Sequence, residues 1–197
     1  RELDFSIEPG TLITSDLKVF LESCEVIIDF TTAQGTQQLL EVALQYPKPI
    51  VIGTTGLESH HENLIKEAAK KMPILYASNM SLGIAILNKA IKLVASTLRD
   101  FDIEIVEKHH NQKIDSPSGT AVMLYDGINN ALDDSLEPTY DRHSIHRKRE
   151  RNEVGISSIR GGTIFGEHTV MFAGQDEIVE VKHTALSKEV FANGAVA

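Results

Sequence analysis

The sequence predicts an α/β protein in two parts: half of a doubly wound parallel sheet, then an α+β domain with an open mixed sheet of four strands. Three observations carry this. Short apolar runs alternate with amphipathic stretches over residues 25–80, as strand–helix–strand units do. Residues 81–98 then give a long helical pattern with one apolar side. From Ile156 onward the periodicity changes to that of β-strands, with Gly174-Gln175-Asp176 as a turn between two of them.

Taken in order, residues 15–23 form a short helix through Leu17, Val19, Phe20 and Leu21. Val26-Ile27-Ile28-Asp29-Phe30 is a nearly unbroken apolar run, which suits a parallel strand buried on both faces. Thr31 and Thr32 close it. Residues 36–44 are helical, with Leu39, Leu40, Ala43 and Leu44. Pro49–Gly53 is the second strand and Thr54-Thr55-Gly56 closes it. A helix with Leu64, Ile65, Ala68 and Ala69 on one face leads to the third strand, Pro73–Ala77, closed by Ser78-Asn79-Met80. Right-handed crossovers make these elements a βαβαβ unit. Such sheets bind ligands outside the carboxyl ends of their strands, which marks 29–31, 53–56 and 77–80. Gly53-Thr54-Thr55-Gly56 also fits a plain turn.

The helix over 81–98 has Leu87, Ala90, Ile91, Val94 and Leu98 on one face and is expected to lead from the first domain into the second. In Phe101–Val106, Ile103 and Ile105 alternate with Asp102 and Glu104, a strand with one buried face. A second apolar helical face follows at Ala121, Leu124, Ile128 and Leu132. Residues 133–158 are polar and poor in periodicity, a long loop whose basic run, Arg147–Arg151, reads as solvated. Ile156–Arg160, Thr163–Phe172 and Glu177–Ala185 are strands, the last two a hairpin.

Composition narrows the partners. The 197 residues are 42% hydrophobic, enough for a core, and carry 19 Lys+Arg against 28 Asp+Glu, net −9. That balance argues against nucleic acid or an anionic membrane surface as partner. A single cysteine, Cys24, excludes an internal disulfide and fits a reducing cytoplasmic setting. No apolar stretch of about 18 residues is present to cross a membrane as a helix.

Between strand and helix lies Glu107-Lys108-His109-His110-Asn111-Gln112-Lys113-Ile114-Asp115-Ser116-Pro117-Ser118-Gly119-Thr120. Ser or Thr there is an N-cap candidate, and free N–H groups at a helix start attract carboxylates. Lys113 adds a cation, and His109 and His110 can exchange protons near neutral pH. Taken singly, adjacent histidines or one lysine in a polar loop are ordinarily just solvated; the combination is not. The pattern Glu107, His109, His110, Lys113, Asp115, Pro117, Ser118, Gly119, Thr120 resembles the signature of the 4-hydroxy-tetrahydrodipicolinate reductase (dihydrodipicolinate reductase) family of bacterial lysine and diaminopimelate biosynthesis.

The resemblance implies a cytoplasmic, homotetrameric enzyme that uses NADH or NADPH to reduce a cyclic imine dicarboxylate. It implies His109 as acid/base and Lys113 as proton donor, with His110, Gly119 and Thr120 on the substrate carboxylates. Gly53, Thr54 and Thr55, and Ala77, Ser78, Asn79 and Met80, fall on the nicotinamide-ribose side of the cofactor site; Met80 stands where many members carry Phe. Lys188 and Phe191 lie near the domain junction. Residues 1–79 and 188–197 belong to a Rossmann-like dinucleotide-binding domain, and 80–187 to a substrate-binding and tetramerisation domain. The closing segment Phe191–Ala197 is the expected return to the first domain, reached just as its helix begins.

A glycine-rich turn of the G-x-G-x-x-G kind, where a pyrophosphate normally sits, is not in the sequence. The first strand–helix–strand is therefore expected upstream of Arg1, with the residue that separates NAD from NADP. Two other readings exist. A metal-dependent hydrolase could use Glu107, His109, His110 and His168, but their spacing does not match helical zinc motifs, so no metal is expected. Without the cofactor turn, the polypeptide could also be a folded core that only binds dicarboxylates.

Overall fold

The computed structural model describes residues 10–133 and 135–197. They form two compact units that divide between Ala77 and Ser78. The part of the expected first domain that covers residues 1–9 lies outside the described residues.

The first unit contains α1 (Leu17–Glu22), β1 (Ile27–Asp29), α2 (Ala33–Ala43), β2 (Ile50–Ile52), α3 (Ser59–Ala68) and β3 (Ile74–Tyr76). The strands are parallel in the order β1-β2-β3, with Ile27 opposite Ile50 and Ile50 opposite Ile74. Asp16 caps α1 by accepting from the Lys18 and Val19 N–H groups, and Thr32 caps α2 by accepting from Gly35 N. Leu21, Leu39, Leu40, Ala43, Ile65 and Ala68 of the helices pack with Ile27, Ile50 and Ile52. The expectation of burial on both faces is not met. Ile28 and Leu75 are 46% and 57% exposed, because the described helices of this unit cover only the Ile27–Ile50–Ile52 face. Asp29, at the end of β1, is buried with its carboxylate accepting from the Thr31 and Thr36 hydroxyls at 2.7 and 2.5 Å.

The second unit contains α4 (Leu82–Thr97), β4 (Asp102–His109), α5 (Gly119–Ala131), β5 (Glu137–Thr139), β6 (Glu153–Arg160), β7 (Gly166–Ala173), β8 (Ile178–Ala185) and α6 (Glu189–Val196). Its sheet has five strands, not four, in the order β5-β6-β4-β7-β8. The first three are mutually parallel; β7 runs antiparallel to β4 and β8 antiparallel to β7. The unforeseen strand is β5, inside the stretch taken as loop. Its Glu-Pro-Thr sequence has no apolar alternation, and its proline is tolerated because β5 lies at an edge.

One helical layer covers one face of this sheet. Ile84, Leu87, Ile91 and Ala95 of α4, with Ala121, Leu124 and Ile128 of α5, pack on Ile103, Ile105, Val154, Ile156, Val170 and Phe172. Ser81 and Ser118 cap the two helices, accepting from Ile84 N and Ala121 N. The basic run is not simply solvated. Arg149 is largely covered: its Nη2 donates to the Ile103 carbonyl at 3.0 Å, and Nε lies 3.1 Å from the Asp102 carboxylate. Gly155 belongs to the same region, since a Cβ there would collide with the Glu104 carboxylate.

Residues 188–197, expected with the first domain, group here with the second unit, where Gly194 lies so close to the Met80 carbonyl that a Cβ would not fit. Within this segment Glu189–Val196 is already α-helical, where the sequence placed only the start of a helix.

Ile105 is fully buried at the centre of the sheet. Ile105→Ala is expected to lower unfolding free energy by about 2–5 kcal/mol in chemical denaturation, the range for emptying a core site.

Candidate active site

In β4 every second side chain faces the helical layer, and Ile103, Ile105, Glu107 and His109 are all buried. The apolar face thus turns polar in its last two places. Glu107 has no exposed surface. A buried carboxylate needs donors, and four are present. Oε2 accepts from His109 Nδ1 at 2.5 Å and Arg160 Nη1 at 2.9 Å; Oε1 accepts from Arg160 Nη2 at 2.8 Å and Ser118 N at 3.1 Å. Burial alone would raise the Glu107 pKa. Hydrogen bonds from His109 and Arg160 outweigh that and hold it far below the ordinary carboxylate range.

Neighbouring strands extend the polar row. Glu107 lies opposite His168 of β7, and His168 opposite His183 of β8. His168 Nε2 is 2.9 Å from the Ser118 hydroxyl, and the His168 ring stands edge-on to that of His109, with centroids 5.2 Å apart. His183 Nε2 is 3.3 Å from the Ser81 hydroxyl. Burial pushes the His168 pKa down to about 4, helped by the nearby His109, and burial also lowers that of His183. Near pH 7 His168 is therefore a neutral hydrogen-bonding group.

His109, His168, His183, Asn79, Thr120 and Phe191 line one cavity in this unit. Gly166 also borders it. A Cβ there would come within 3.2 Å of His109 Nε2, so the glycine leaves that nitrogen accessible. Asn79 Nδ2 donates to the Thr120 hydroxyl at 2.9 Å, while its Oδ1 accepts from Ser81 N at 2.9 Å. Gly119 and Thr120 open α5, ahead of its first intrahelical bond, Val122 N to Ser118 O at 3.1 Å. Their N–H groups therefore sit where anions are favoured.

His109 is not in a loop, as the sequence suggested, but is a buried residue ending β4, because that strand runs three residues further than its apolar alternation. Lys113 and His110 are in the loop and do not line the cavity. Lys113 Nζ pairs with Asp115 Oδ1 at 2.8 Å. Asp115 feels opposed effects; burial raises its pKa, but the hydrogen bond from Lys113 prevails and lowers it. The loop is tied to the end of β6 through Arg160 Nη2 to the Asp115 carbonyl at 2.7 Å and Asn111 N to the Gly162 carbonyl at 3.2 Å.

In the first unit, Gly53 follows β2 against the Phe30 ring, Thr54 is buried with its hydroxyl 3.5 Å from the Asp29 carbonyl, Thr55 is exposed, and Ala77 N bonds to the Ile52 carbonyl at 3.2 Å. Ser78 and Met80 begin the second unit, Met80 buried. Sequence reasoning missed Arg160, included Glu107 in the family pattern but gave it no role apart from the metal-ligand alternative, and named His168 only as a metal ligand. Running the β4 alternation two steps further would have placed Glu107 and His109 on the buried face. His168 and His183 needed the strand register.

An α/β fold with a carboxylate–imidazole pair buried beside a cavity and a helix N-terminus fits the oxidoreductase class. Residues 2–80 match the family model "Dihydrodipicolinate reductase, N-terminus" and residues 83–197 match "Dihydrodipicolinate reductase, C-terminus". The chain is 52% identical to the 4-hydroxy-tetrahydrodipicolinate reductase of Wolinella succinogenes, over 100% of its own length and 78% of the relative's. It is 46% identical to that of Sulfurimonas denitrificans, with the same coverage. Its fold is similar to the dipicolinate-bound dihydrodipicolinate reductase of Paenisporosarcina sp. TG-14, with a TM-score of 0.77 at 23% identity over 98% of this chain and 75% of that one. The chain belongs to the dihydrodipicolinate reductase family.

The neutral His168 sets a pH dependence of stability. Between about pH 6.5 and 4 the unfolded chain binds a proton that the folded chain refuses at this site. Stability therefore rises with pH across that window and is lost as pH falls through it. His168→Gln is expected to flatten the melting-temperature profile there relative to the parent, by an amount on the order of a few kcal/mol at the acid end.

Proposed function

We infer that this chain reduces 4-hydroxy-tetrahydrodipicolinate to tetrahydrodipicolinate with NADH or NADPH, a step of lysine and diaminopimelate biosynthesis. The observation that carries the reading is His109, held by a buried carboxylate and facing a cavity shared with Thr120 at a helix start. The relatives named for this activity support it at the level of the whole chain.

A nicotinamide cofactor supplies a hydride when bound. The segments after β2 and β3 fit its nicotinamide-ribose side: they stand at the carboxyl ends of parallel strands, with a glycine at 53 and another at 56 in the left-handed region. Gly53, Thr54, Thr55, Ala77, Ser78, Asn79 and Met80 are the residues we assign to it. His109 Nε2 holds or releases the proton that accompanies reduction and loss of water. Lys113 donates a proton from the loop, exchanging its partner Asp115 for substrate. The N–H groups of Gly119 and Thr120 bind one substrate carboxylate, with His110 on the other. We further assign residues 1–79 and 188–197 to cofactor binding, and 80–187 to substrate binding and subunit pairing.

A homotetramer is part of this reading. The sheet face away from α4 and α5 carries exposed Ile159 and Ile178 beside a Lys108–Glu167–Lys182 ion-pair row, a surface suited to a second copy. Within that row Lys108 and then Lys182 hold the Glu167 pKa down at about 2. The single cysteine and acidic balance fit a cytoplasmic enzyme, and no helix among the described residues is long and apolar enough to cross a membrane.

Full-length protein is expected to oxidise NADH or NADPH only when the dicarboxylate imine is supplied; equal turnover with simple keto acids, followed at the cofactor absorbance, would refute the reading. His109→Ala and Lys113→Ala are expected to lower kcat by about 10²–10⁴-fold. Thr120→Pro removes one helix-start N–H while remaining tolerable in a first turn, so it should raise KM for substrate and leave KM for cofactor nearly unchanged. Light scattering should give a tetramer mass; a monomer at working concentration would contradict the subunit-pairing assignment.

A further inference from the structure

We propose that Arg160 and Glu107 together act as a positioning pair that fixes the tautomer and ring orientation of His109, and that Arg160 sets the main-chain position of the Lys113 loop with the same guanidinium. The proposal rests on the reading of His109 as acid/base and extends it to residues that touch no substrate.

The geometry begins with what each group can offer. An ionised carboxylate only accepts hydrogen bonds, and a guanidinium only donates. Arg160 meets Glu107 with two parallel bonds, Nη1 to Oε2 at 2.9 Å and Nη2 to Oε1 at 2.8 Å, the fork arrangement that fixes direction as well as charge. Ser118 N takes a further place on Oε1 at 3.1 Å. Oε2 keeps one further acceptor direction, and His109 Nδ1 fills it at 2.5 Å. Because that oxygen cannot donate, Nδ1 must carry a hydrogen. The exchangeable site of the ring is therefore Nε2, beside the space that Gly166 leaves open. The arrangement has the logic of an acid–histidine pair in which the carboxylate holds the imidazole in one tautomer.

Arg160 does more than balance a buried charge. Its Nη2 also donates to the Asp115 carbonyl at 2.7 Å, and its Nη1 to the Ile159 carbonyl at 2.8 Å. Asp115 in turn holds Lys113 through its side chain. One side chain from β6 thus links the imidazole at the end of β4 to the lysine in the loop. A lysine at position 160 could not reproduce this, since an ammonium has no planar fork.

The test uses full-length protein labelled with ¹⁵N in histidine, read by two-bond ¹⁵N–¹H correlation, with the His109 signals assigned by their loss in His109→Ala. In the parent, neutral His109 should show a single species with hydrogen on Nδ1. In Glu107→Gln the amide can donate to Nδ1, so the hydrogen should move to Nε2 in much of the population. In Arg160→Gln and Arg160→Lys a mixture is expected, with kcat lower by about 10–100-fold and KM for cofactor within about threefold. The double variant Glu107→Gln/Arg160→Met removes both charges, so melting should return near the parent while kcat stays low. A parent-like single tautomer and parent-like kcat in both Arg160 variants would overturn the proposal, as would a double variant that regains turnover with stability. Full activity of His109→Ala would instead sink the acid/base reading, a different and separately visible result.

Discussion

The interaction on which the second unit depends is the one around the Glu107 carboxylate. An ionised group without exposed surface must find its hydrogen bonds inside the protein, and removing one partner of a buried ion pair commonly costs about 3–5 kcal/mol. The donors come from three places: the end of β4, the cap of α5 and the end of β6. Satisfying one carboxylate therefore ties together two strands and a helix start. Those elements carry His109, Gly119, Thr120 and the ends of the Lys113 loop. Stability and site geometry are in this sense the same set of bonds.

Sheet geometry then decides which other groups can join. Residues directly opposite one another across a ladder share a face. Glu107, His168 and His183 are such a row, so two further imidazoles arrive beside the first without any local sequence signal. Room for them comes from small residues. A Cβ at Gly83 would come within 2.7 Å of the His183 ring, and Gly166 borders His109 in the same way. Ser118 serves twice: its hydroxyl caps α5 through Ala121 N, and the same oxygen lies beside His168 Nε2.

At the opposite end of β4 a different set of charges holds a peripheral segment in place. Arg149 spans Asp102, Glu104 and two carbonyls, and Arg142 and Arg147 both meet Glu153, whose side chain is almost wholly buried. Exposed pairs of this kind contribute little, but a covered guanidinium with several acceptors is another matter. The stretch from Arg142 to Glu153 lacks apolar periodicity because arginine hydrogen bonds attach it to the sheet.

Sequence alone determined the order of helices and strands, since apolar spacing follows directly from the 3.6- and 2-residue periods, and it determined the family, since Glu107 to Thr120 is a contiguous pattern. It also marked Ser118 among the cap candidates and His109 as central. It did not reveal β5, whose three residues are held as a strand only by the ladder to β6. The β4 alternation does extend to Glu107 and His109, but nothing local shows how a carboxylate could be held on that buried face, which looks unfavourable until Arg160 is found beside it. Arg160 is far along the chain, and only folding brings its guanidinium to Glu107. The one-sided burial of β1 to β3 was likewise decided by where helices pack, which a run of isoleucines does not encode. Periodicity is a local property and was legible; partners of buried charges and the rows across a sheet are properties of the assembled fold, and only tertiary structure decided them.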